Sequence, residues 1–156
     1  MSPEELAHDV RAELELMAET VAEVTRLVED VHGRSPTVRE QTAGGAFAAQ
    51  FYSGVENILK RLCRFHGVAL PEGGAWHLEL FEWFCTPALP SLPALFDETL
   101  AEQLAAYRRF RHVVRHSYGL QLEWDEMETG LEQIEDVFDH FRRTILQYID
   151  SLDQPQ

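Results

Sequence analysis

Residues 3–31 read PEELAHDVRAELELMAETVAEVTRLVEDV. Leu6, Val10, Leu14, Met17, Val21, Val24, Val28 and Val31 recur there at steps of three and four, which sets them on one face of an α-helix. Ser2 supplies an N-cap, Pro3 can occupy the first helical position and Glu5 completes a capping box. Gly33 and the Ser35-Pro36-Thr37 stretch end the helix. Outward from this segment the same periodicity returns. Residues 37–65 carry Phe47, Phe51, Val55, Ile58, Leu62 and Phe65 as a stripe. Residues 125–152 carry Met127, Leu131, Ile134, Phe138, Phe141, Ile145, Tyr148 and Leu152. A further helix begins at Leu95 or Phe96 and ends near Tyr118, with Gly119 available as its cap. Long amphipathic helices joined mostly by short connections predict an all-α protein, an up-and-down four-helix bundle.

Two stretches depart from this regularity. Small residues crowd the first half of the second helix, Gly44 and Gly45 among them. Glycine inside a helix costs about 1 kcal/mol relative to alanine, so the pair marks either a close approach of a neighbour or a break. Within residues 66–95 the stretch TPALPSLP, residues 86–93, holds three prolines, Pro87, Pro90 and Pro93, which forbid a regular helix across it. WHLELFEWF, residues 76–84, fits a short extra helix between helices 2 and 3, packing Trp76, Leu80, Trp83 and Phe84 on the bundle. The reading is one domain over residues 1–152 and a frayed tail at 153–156. No apolar run approaches the ~20 residues that cross a bilayer. The acidic, polar opening is not a secretion signal. Two cysteines, Cys63 and Cys85, make no disulfide scaffold, so a reduced cytoplasmic setting is expected. No cluster of metal-binding residue types or cofactor motif stands out.

Charge is the more informative part of the composition. Thirteen Lys and Arg face 27 Asp and Glu, for a net charge of −14. A chain so acidic repels nucleic acid as a whole, so any such function needs a concentrated local exception. The third helix, FDETLAEQLAAYRRFRHVVRHSYG, has one. Arg108, Arg109, Arg111, His112, Arg115 and His116 fall within nine positions, and no Asp or Glu occurs between Glu102 and Glu123. On a helical wheel Leu100, Leu104, Tyr107, Phe110, Val114 and Tyr118 share one apolar arc. Arg111 stands at its edge, and the other basic residues follow over the next ~160°.

Ordinary helix termination accounts for basic residues in a last turn. A contiguous face with two histidines suggests more. Histidine can take or give a proton near neutral pH. Arginine clamps phosphates. Together they can cleave RNA without a metal: a base removes the 2′-hydroxyl proton, arginine stabilises charge on the phosphoryl oxygens, and an acid protonates the leaving 5′-oxygen. Arg111 and His116 point about 140° apart and are separated by about 7.5 Å along an ideal helix axis. A two-fold dimer would present them better to one phosphate, so a homodimer is expected.

The stretch RHVVRHSY, residues 111–118, resembles the HEPN signature: arginine, a polar residue, a short spacer and histidine. Its ending, His116 and Tyr118, resembles the HepT-like toxin branch. The resemblance implies a HEPN-type helical bundle that dimerises across its arginine–histidine motifs and acts as a metal-independent endoribonuclease toxin. It also implies a partner, an MntA-like nucleotidyltransferase antitoxin that transfers AMP onto the motif tyrosine, as in a type VII-like pair. By position, Arg111 and His116 are then catalytic, with His112, Arg115 and Arg108 supporting. Tyr118 is the residue modified by the antitoxin, and Glu56 is an acidic residue facing the motif. The section 66–93 and the acidity both exceed what a minimal member needs.

Two other readings fit the same residues. One is a non-catalytic HEPN protein that binds a nucleotide or supports a partner nucleotidyltransferase. The other is a helical adaptor with an acidic surface. Packing is the default for Trp76, Trp83, Trp124, Tyr107 and Cys63, and no direct role is expected for His8, His32, His66, His77 or His140.

Overall fold

The computed structural model describes residues 1–116 and 123–153. Five helices run in chain order: α1 (Pro3–Val31), α2 (Val38–Phe65), α3 (Trp76–Glu82), α4 (Glu98–His116) and α5 (Trp124–Leu152). No strand occurs among the described residues, only one isolated bridge between Cys85 and Phe96. The chain is an all-α bundle: α1 packs on α2 and α5, α2 on α4, and α4 on α5, closing a ring of four long helices. The short α3 sits on α2.

The α1 capping box forms as the sequence predicts. Ser2 Oγ accepts from the Glu5 N–H at 3.1 Å, and the Glu5 carboxylate accepts from the Ser2 N–H at 2.8 Å. A second box opens α2, where Thr37 and Glu40 play the same parts. The core stripes shift slightly from the sequence reading. On α1 Leu27, not Val28, is buried; on α5 the seam ends on Ile149, while Tyr148 and Leu152 are half-buried.

Helix α2 is the bundle's most enclosed element, and its glycine pair breaks nothing. Gly44 and Gly45 are both buried within an unbroken helix. A Cβ on Gly44 would stand 3.1 Å from Leu131 Cδ1, and one on Gly54 only 2.5 Å from Met17 Cγ. Close approach of α5 and α1 is therefore what these small residues permit.

Between α2 and α4 the chain is irregular but internally bonded. Leu80 and Phe84 are fully buried, while Trp76 and Trp83 pack partly against the core. The Phe84 carbonyl accepts from the N–H groups of Leu95 and Phe96 at 2.9 and 3.0 Å. That tie corrects the expected start of the basic helix at Leu95 or Phe96. Those two residues belong to the insert, and Asp97 caps the helix by accepting from the Leu100 N–H at 2.8 Å. Helix α4 then buries Leu100, Leu104 and Tyr107. Its terminal half, from Arg108 on, buries nothing fully.

Candidate active site

The basic half of α4 faces a cleft of about 880 Å³. Arg108, Arg109, Arg111, His112, Arg115 and His116 line one side of it. Residues 73–78, the run into α3 and its first turn, line the other. The backbone of α3 lies close to α2 and not to α4, so the two walls meet only through side chains.

Arg111 closes the floor. As its edge position on the helical wheel implies, the side chain turns inward and is only 12% exposed. Its Nε donates to Ser53 Oγ at 2.9 Å and lies 3.5 Å from Glu56 Oε1. Both partners come from α2. Glu56 is 2% exposed, the one buried charged side chain among the described residues. A carboxylate taken out of water needs compensating partners, and Glu56 has two. Its other oxygen, Oε2, lies 2.5 Å from Nδ1 of His77 on α3.

The histidine's protonation follows from this geometry. His77 Nδ1 is also 3.4 Å from Arg111 Nη1. A guanidinium only donates, and a carboxylate only accepts. Nδ1 therefore cannot serve both as acceptor and as donor, and the shorter contact decides for a proton on Nδ1, donated to Glu56. At 3.4 Å, Arg111 Nη1 then makes no hydrogen bond to Nδ1.

The remaining basic residues differ in how they are held. Arg108 lays its guanidinium over the Phe81 ring at 5.3 Å. Arg109, His112, Arg115 and His116 are exposed. The His112 and His116 rings lie one turn apart with centroids at 4.4 Å. Tyr52, fully buried on α2, leaves its hydroxyl without a hydrogen-bond partner. Burial, with the charge of Glu56 adding to it, pushes that phenol well above its ordinary range.

The structure therefore brings Arg108, Arg111, His112, Arg115 and His116 to one cleft and sets Glu56 against Arg111. Tyr118 and Gly119 lie outside the described residues. His77 is the residue the sequence reading passed over: one histidine among scattered ones, in an irregular insert. Its pairing with Glu56 is long-range and leaves no local signature. His66, by contrast, pairs with the Tyr148 hydroxyl away from the cleft. Among the described residues no three His, Cys, Asp or Glu side chains group as a metal site, and no helix is long and apolar enough to cross a membrane.

A family model described as HepT-like protein matches residues 45–152, from the start of the α2 core through α5. The chain belongs to the HepT-like family. That assignment places it in the HEPN superfamily, and the matched span of this HepT-like protein includes Glu56, His77 and the whole arginine–histidine motif. Comparisons with curated proteins and with solved structures return no match.

Proposed function

We infer that this HepT-like protein is a metal-independent endoribonuclease and the toxin of a toxin–antitoxin pair. The observation that carries the reading is the convergence of four arginines and two α4 histidines on one cleft, in a chain of net charge −14. A local positive field is what a polyanion requires from an otherwise repelling surface. Arg111, oriented by Ser53 and Glu56, stabilises the charge that develops on the phosphoryl oxygens. His116 is the proton donor to the leaving 5′-oxygen. Arg109 and Arg115, both exposed, draw in the flanking phosphates, with Arg108 and His112 supporting them. The nucleophile is the RNA's own 2′-hydroxyl, so the reaction calls for no metal.

Family resemblance supports three further parts of this reading. The protein works as a homodimer with its clefts facing, beside an MntA-like nucleotidyltransferase antitoxin. Adenylylation of Tyr118, two residues beyond His116, silences it. A second reading rests on the size of the cleft. A pocket of about 880 Å³ holds a nucleotide, so a non-catalytic member would bind one there, or support a partner nucleotidyltransferase, without cutting RNA.

The test is cleavage of a mixed RNA pool in EDTA, with intact mass showing Tyr118 unmodified. The wild type is expected to leave 2′,3′-cyclic phosphate and 5′-hydroxyl ends. His116→Ala should lose about 10²–10⁴-fold in rate. Absence of cleavage by wild type across several RNAs removes the ribonuclease reading in favour of the nucleotide-binding one.

A further inference from the structure

The ribonuclease reading leaves one proton transfer without an owner: something must accept the proton of the 2′-hydroxyl. In-line displacement at phosphorus puts the attacking and leaving oxygens on opposite sides of the phosphate. His112 and His116 stand one turn apart on the same helix, with rings at 4.4 Å. Both approach from the same wall, so they are poorly arranged to serve both sides.

The opposite wall holds His77. Three observations single it out. First, its Nδ1 proton is committed to the buried Glu56 carboxylate at 2.5 Å, which leaves the Nε2 lone pair as the ring's acceptor. A carboxylate behind a histidine fixes its tautomer and stabilises the imidazolium once a proton arrives. Second, the ring packs against Trp76 at a tilt of 31° with centroids 3.5 Å apart, and its side chain is 28% exposed. It is held in orientation yet reachable from the cleft it lines. Third, Arg111 Nη1 lies 3.4 Å from the same ring. That contact is to Nδ1, so the guanidinium and the imidazole stand side by side in the one cleft.

The geometry points to His77 as a catalytic residue of this cleft, the base that takes the 2′-hydroxyl proton, with Glu56 as its positioning residue. The assignment rests on the ribonuclease reading of the same site. As Nε2 takes the proton, the 2′-oxygen bonds to the adjacent phosphorus. The bond from phosphorus to the 5′-oxygen breaks, and that oxygen takes a proton from His116. The products are a 2′,3′-cyclic phosphate and a 5′-hydroxyl, and the protein's proton count is unchanged. The charged groups facing His77 are Glu56 from α2 and Arg111 from α4. Lys60, also on α2, sits over the neighbouring Trp76 ring at 4.7 Å.

The experiment compares the full-length wild type with His77→Gln and His77→Ala on one RNA, with far-UV circular dichroism and thermal melting to verify folding. His77→Gln is expected to cut about 10²-fold or more slowly while binding RNA within about threefold of wild type. Its kcat/KM should lose the acidic limb of the pH profile, because the group that must be unprotonated has gone. Added imidazole should restore cleavage to His77→Ala. Wild-type-like cleavage by His77→Gln would overturn the assignment and leave the ribonuclease reading standing. Loss of activity with the acidic limb retained and no rescue by imidazole would also overturn it, leaving His77 a structural part. If the unmodified wild type cuts no RNA at all, both readings fall together.

Discussion

Helix α2 carries two acid–arginine couplings, one partly open to solvent and one buried. At its first turn Glu40 receives both arms of the Arg34 guanidinium at 2.7 and 2.8 Å. At its middle Glu56 faces Arg111 at 3.5 Å. By bond length the first is the better pair, yet the second matters more. When the Arg34 pair breaks, water solvates both ends, and such surface pairs contribute little. When the Glu56 set breaks, the partner left behind is a charge largely shut off from water. Bond quality sets how a pair looks; the solvent around it sets what its loss costs.

The largest expected effect breaks the buried side of this comparison. Glu56→Ala should destabilise the protein by about 3–5 kcal/mol in chemical denaturation, since Arg111 keeps its charge but loses the carboxylate that balances it. Adding Arg111→Met to that variant should recover part of the loss. A double variant as unstable as the two single losses summed would show that the pair is not coupled.

On the surface side, Thr37→Ala removes the hydroxyl that accepts from the Glu40 N–H at 3.1 Å. It should cost about 1 kcal/mol, the usual worth of an N-cap, and leave RNA cleavage untouched. The smallest effect is one of pH. The Arg34 guanidinium, and after it the Thr37 backbone N–H, hold the Glu40 carboxyl at about 2, against an ordinary 4.5. The folded state thus favours ionised Glu40. Its contribution is fully present above about pH 4.5 and disappears as the pH falls toward about 2. A Glu40→Gln variant should show a flatter stability profile across that window in acid titration followed by circular dichroism. An unchanged profile would mean that other carboxylates govern the acid response.

The two couplings also differ in how far the sequence discloses them. Thr37 and Glu40 stand three residues apart, so their capping box is written in local spacing. Glu56 and Arg111 are legible as a candidate pair only through the resemblance of the 111–118 motif to a known signature. Spacing alone says that Arg111 sits at the edge of an apolar arc, and it does. Spacing cannot say that Ser53 waits opposite it. His77 is further out of reach. It lies in a proline-interrupted insert where no periodicity assigns a face, and its partner is on another helix. The same distance in sequence explains the corrected start of α4. Apolar pattern continues back through Phe96, but Asp97 caps the helix just after it, and the Leu95 and Phe96 N–H groups bond to the Phe84 carbonyl within the insert.

By itself the sequence determined the helices, their apolar seams, the capping of α1 and the concentration of positive charge in a strongly acidic chain. Each follows from residues within a few turns of one another, because helix periodicity and capping are local physics. Only the tertiary structure decided which wall faces that charge, that Arg111 is held from within by Ser53 and Glu56, and that His77 joins them. Those contacts join α2, α3 and α4, and the buried carboxylate that organises them owes its importance to being out of water. Burial of that kind exists only once the bundle has closed.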